Sequence, residues 1–177
     1  AGNNPCSNRD PSGLDDEQST ACAEMALLAD ELAAKTGNPM EWAQMFGAAT
    51  TGNSNTLANG RGGSAQPRFK AYGTDGGFQP QFDDGTGMEQ VRHFGGFLLS
   101  AAQAGPDATA FGGGVFRGDL RAGREADWAL GMEAVGLWDR TSSPGPGDDF
   151  TDRGSRMPSL SLRGFGDYIR KNICSKI

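Results

Sequence analysis

Apolar residues recur along the chain at the spacing of helix faces. After Asp15, the residues Cys22, Met25, Ala29 and Leu32 stand at i, i+3, i+7 and i+10, and Leu28 widens the stripe. Asp15 and Gln18 have the form of a capping box, and Asp15, Asp16 and Glu17 suit the positive end of a helix. Gly37 closes this element. Asn38-Pro39-Met40-Glu41 then opens a short second helix, with Asn at the cap, Pro at the first position and Glu at the third. It carries Trp42, Met45 and Phe46 on one side. The spacing predicts a third helix from about Gly87 to Ala104, where Val91, Phe94, Leu98 and Ala101 share a face and Gly105-Pro106 stops it. A fourth runs roughly from Arg124 to Arg140. Its Ala126, Leu130, Ala134 and Leu137 form one stripe and Trp128, Met132 and Val135 an adjacent one, so it is expected at the centre of the fold. The last helix carries Leu162, Phe165, Ile169 and Ile173, with Arg170 and Lys171 near its negative end.

Between these elements the pattern breaks. Residues 1–14 read as an irregular arm of turn formers. From Thr50 to Gly87 glycine and asparagine dominate, punctuated by Phe69, Tyr72, Phe78 and Phe82. Loops of this length inside a compact domain are uncommon, and the aromatics imply an ordered wrap pinned to a core. No sustained alternation predicts a sheet, and no fixed-period repeat occurs. The expectation is a single all-α domain over 1–177: an irregular bundle of four to five helices wrapped by the long loop at about 50–87.

Composition narrows the function. Glycine (28) and proline (9) fill about a fifth of the 177 residues without a three-residue period, which excludes a collagen-like rod. A net charge of -6 repels polyanions, so duplex nucleic acid is not an expected partner. The tail from 141 is locally basic, with Arg153, Arg156, Arg163, Arg170, Lys171 and Lys176, and such a face either binds an anionic partner or is simply solvated. No run of 18 apolar residues exists, so no membrane-spanning helix is expected. The start Ala1-Gly2-Asn3-Asn4 resembles a terminus left by signal-peptide removal. Cysteines at 6, 22 and 174 permit one intramolecular disulfide plus a free thiol, or an intermolecular bridge, and with this start they point to a secreted chain. The pairing stays open, although a bridge from Cys6 to Cys22 would usefully tie down the N-terminal arm.

Candidate chemistry is sparse. His93 is the single histidine, and Glu89, one turn earlier on the same helix face, can orient its ring as a general base does. Asp119, Asp127 or Glu133 can supply a second acid across the bundle. Glu133 and Glu41, each beside apolar neighbours, are candidates for the protonated member of a glycosidase-type acid pair, though Glu41 already suits the third position of its helix. Asp83-Asp84-Gly85-Thr86-Gly87-Met88-Glu89 gathers hard oxygen ligands, and calcium at Asp83, Asp84 and Glu89 is the one cofactor the sequence suggests. The glycine runs lack the lysine of a phosphate loop, and no serine-hydrolase, zincin or Cys-x-x-Cys motif is present.

These observations favour a secreted, non-enzymatic helical protein that works through surface contacts, with a protein partner or with itself. Phe69, Tyr72, Phe78 and Phe82 are the expected anchors. The alternative is a small secreted hydrolase of a glycan or phosphodiester, built on His93 and Glu89 with Asp127 as the second acid.

Overall fold

The computed structural model describes residues 20–52, 76–112, 124–142 and 161–175. Within them the chain forms six α-helices: α1 (Ala21–Lys35), α2 (Pro39–Thr51), α3 (Gly87–Ala104), α4 (Pro106–Gly112), α5 (Glu125–Ser142) and α6 (Phe165–Asn172). Single 3-10 turns at Pro80–Phe82 and Leu162–Gly164 precede α3 and α6. The all-α expectation is met, with one more helix than the sequence implied. The extra element is α4. Gly105, at φ 90°, ends α3 as anticipated, but Pro106 immediately starts another helix. A proline that cannot continue one helix is preorganised for the first position of the next.

The helix starts show the same interplay of local rules. Thr20, not Asp15, caps α1, its side chain accepting a hydrogen bond from the Ala23 N–H at 3.2 Å. Asp15 and Gln18 lie outside the described residues. At α2 the local signal holds: Asn38 Oδ1 accepts from the N–H groups of Met40 (2.9 Å) and Glu41 (3.2 Å).

One hydrophobic core gathers the buried faces. Trp42 stacks on Phe46 with centroids 4.9 Å apart, meets Phe165 edge-on at 4.5 Å, and donates its indole N–H to the Ala29 carbonyl at 3.1 Å. Phe46 in turn faces Phe94. The central helix is α3 rather than α5. It packs against α1, α2, α4 and α5, and every residue from Phe94 to Leu99 is buried. α5 buries Leu130, Ala134, Val135, Leu137 and Trp138, whereas Trp128 and Met132 stay half-buried. Two glycines let α2 and α3 approach closely: a Cβ at Gly95 would overlap the Thr50 side chain, and one at Gly47 the Leu99 side chain.

The expected wrap over 50–87 is only partly a loop. Thr50 and Thr51 belong to α2, residues 53–75 lie outside the described set, and 76–79 form a strap. Phe78 pairs with Cys174 in an isolated antiparallel β-bridge. The Cys22 N–H donates to Gly76 O, the Gln79 N–H to Ile173 O, and the Ser175 N–H to Gly77 O, each at 2.9 Å. Beside the strap, Cys22 and Cys174 form a disulfide across 152 residues with a Cα–Cα distance of 5.5 Å. Cys22 is therefore not free to bridge to Cys6, which lies outside the described residues. The start of α1, the strap and the end of α6 are thus tied into one sealed end.

Candidate functional site

The structure gives His93 and Glu89, which the sequence grouped as an acid–base pair, different environments on α3. His93 projects inward from α3, only 8% exposed, with Nε2 closed off from solvent and its ring 4.9 Å from that of Phe97. Glu89 is exposed on the same helix, and its Oε1 accepts from Arg92 Nη1 at 2.8 Å. The histidine is thus buried, while its proposed orienting acid is exposed and paired with Arg92. Asp127 is half-buried on α5. Asp119 lies outside the described residues.

The acidic turn before α3 is organised around its own backbone. Asp83 Oδ1 accepts from the Gly85 N–H at 2.8 Å, and Asp84 Oδ1 from the Thr86 N–H at 2.9 Å and from the Thr86 hydroxyl. These are the local bonds by which aspartate stabilises turns. Among the described residues, no three His, Cys, Asp or Glu side chains converge as a metal site.

Of the four aromatics expected at a binding surface, Phe78 and Phe82 are core residues, 3% and 6% exposed. The strap turns Phe78 inward beside the disulfide. The following 3-10 turn buries Phe82, whose carbonyl accepts from the fully buried Gln90 amide at 2.5 Å. Phe69 and Tyr72 lie outside the described residues.

Glu133 has acquired a partner that the sequence did not suggest. Its Oε2 accepts from the Tyr168 hydroxyl at 2.7 Å, and the Arg140 guanidinium lies 4.4 Å from the centre of the Tyr168 ring. Burial raises the Tyr168 pKa above 10.0, reinforced by the bond to Glu133 and its negative charge and opposed by Arg140. Glu41 is likewise committed, accepting from the Thr36 hydroxyl at 2.6 Å.

A different place offers an open concavity. At the end of the bundle away from the disulfide, the last turn of α1, the start of α2, Thr141 of α5 and the turn before α6 border an open hollow of about 490 Å³. That is within the range of ligand pockets. Ala33, Pro39 and Leu162 supply apolar surface. Lys35 and Arg163 supply two exposed cations, which make no ion pair among the described residues. By contrast, Arg170 holds both Asp30 and Asp167. The corner wall is braced: the Thr36 N–H donates to Leu32 O at 3.1 Å, and Thr36 Oγ1 accepts from the Asn38 N–H at 3.0 Å while donating to Glu41. Among the described residues, no Asp, Glu or His lines the cleft.

Sequence reading missed this site because Lys35 and Arg163 are 128 positions apart. Arg163 is visible only as one member of the basic tail, and Lys35 as one of two cations, with Arg9, in the acidic stretch over residues 1–35. Compared with protein-family models, with curated proteins and with solved structures, the chain matches none of them.

Proposed function

We propose that this protein is an exported, non-enzymatic binding protein that engages a protein partner through its surface. The observation that carries the reading is the make-up of the open cleft. Cations, hydroxyls and apolar surface equip it to hold a ligand, and among the described residues no carboxylate or imidazole lines it to move a proton near neutral pH. The one histidine, placed to serve as a general base in the rival hydrolase, is buried against Phe97 instead. A general base must come within hydrogen-bond reach of its substrate. Export is supported by the Cys22–Cys174 disulfide, since such bonds persist in oxidising compartments.

The reading is tested with the full chain and its His93→Gln variant on chromogenic glycosides and on bis(4-nitrophenyl) phosphate. Neither protein is expected to turn over any of these substrates. Hydrolysis by the parent that disappears in a His93→Gln protein of unchanged far-UV circular dichroism would return the function to an acid–base enzyme. A non-reducing peptide map of the protein secreted by its own host cell should recover Cys22 joined to Cys174. Recovery of both as free thiols would remove the argument for export.

A further inference from the structure

We infer that the cleft between α1, α2 and the 162–164 turn is a docking site for a short acidic peptide segment of the partner, an inference that rests on the binding-protein reading above. Two features of the cleft narrow its ligand. The first is the pair of uncompensated cations. Lys35 and Arg163 face the same concavity without a carboxylate of the described chain to neutralise them, in a protein whose net charge is -6. A guanidinium recognises a carboxylate through two parallel N–H donors, and an ammonium acts as a point charge beside it. The overall negative charge disfavours an extended polyanion, so the complementary group is a local one.

The second feature is the supply of acceptors. α1 ends at the cleft, and after Leu32 O is taken by the Thr36 N–H, the carbonyls of Ala33, Ala34 and Lys35 accept no hydrogen bond among the described residues. The end of a helix also carries about half a negative charge. A small anion such as phosphate gains from the two cations but is repelled by these carbonyls, to which it offers at most a P–OH donor or two in place of a row of N–H groups. A peptide bearing Asp or Glu has both complements, with carboxylates for Lys35 and Arg163 and backbone N–H groups for the α1 carbonyls. Apolar side chains between its acids match the surface of Ala33, Pro39 and Leu162. The braced Thr36–Asn38–Glu41 corner is already ordered, so little is lost in shaping the site on binding.

The experiment is fluorescence anisotropy at low salt, using the intact disulfide-bonded chain and a fluorescein-labelled peptide of sequence Gly-Glu-Leu-Asp-Glu-Gly. Saturable binding that weakens with added salt is expected. The double variant Lys35→Glu, Arg163→Glu should lose roughly tenfold or more in affinity. Lys171→Glu, which removes an exposed cation outside the cleft, should leave affinity unchanged. The same peptide with Gln and Asn in place of its acids should bind roughly tenfold more weakly or worse. Three results overturn the inference: no saturable binding; equal losses in Lys171→Glu and the double variant; or displacement of the peptide by inorganic phosphate at matched ionic strength, which would make the cleft a bare-anion site. Failure here with no His93-dependent hydrolysis discards the ligand and keeps the binding-protein reading. Failure together with such hydrolysis discards both.

Discussion

The two ends of α1 have opposite fates. At Cys22 the helix is clamped by a disulfide to Cys174, which pairs with the buried Phe78, and is bonded to the strap through Gly76. At Lys35, about 20 Å further along the helix axis, it opens onto a cleft whose cations make no ion pair, and whose carbonyls take no bond, among the described residues. The first end spends its polar groups on itself, and the second leaves them available. On the proposed reading, stability and recognition therefore reside at different ends of the same element. A substitution can attack one without the other.

The largest effect is expected at the clamp. Replacing both Cys22 and Cys174 by serine frees a loop of 152 residues, which loop-closure entropy values at about 5 kcal/mol, and a drop of that order should appear in urea unfolding. Reduction of the native protein should reproduce it. Phe78→Ala removes a ring that is 3% exposed and should cost about 3–5 kcal/mol in the same assay. An unchanged midpoint for Phe78→Ala would mean that the strap is not part of the core, and the contrast between the ends would collapse. Gly77→Ala is predicted to cost about 2 kcal/mol, because the residue has φ 60° and an added Cβ would overlap Thr20.

Tyr168 lies between the ends, on the helix that links them. Its folded pKa is raised, so the folded state holds the phenol proton more tightly than the unfolded chain does. The contribution is complete below the unfolded value of about 10 and is lost as pH rises toward the folded value. Stability should therefore fall above about pH 10, and Tyr168→Phe should flatten that decline. The smallest effect belongs to the open end. Lys35→Glu with Arg163→Glu should move the unfolding free energy by no more than about 0.5 kcal/mol, since both residues are exposed and make no ion pair among the described residues. A larger loss would show that the cleft cations hold the fold together.

Legibility in the sequence followed the range of the interactions. The bounds of α3 were readable to the residue at both ends, because an apolar period and a Gly-Pro stop are local. α2 was readable from Asn38 and Pro39 for the same reason. α4 escaped because Pro106 was taken only as a terminator, and α1 began later than its acidic run suggested. The centrality assigned to α5 was misplaced because a wide apolar stripe does not say which neighbours will cover it. Trp128 and Met132 are left half-buried, while α3 is enclosed.

By itself the sequence determined the all-α class, the periodic faces that form the core, and the lack of any apolar run long enough to cross a membrane as a helix. No helix in the described residues meets that requirement either. Tertiary structure alone decided that Cys22 pairs with Cys174, that Phe78 and Phe82 turn inward, that His93 is buried against Phe97, and that Lys35 and Arg163 share a cleft. The physical reason is the distance over which each effect acts. Helix propensity, capping and amphipathic period are set within a turn or two of the chain. Burial, disulfide pairing and the meeting of charges depend on which surfaces remain uncovered once every helix has packed.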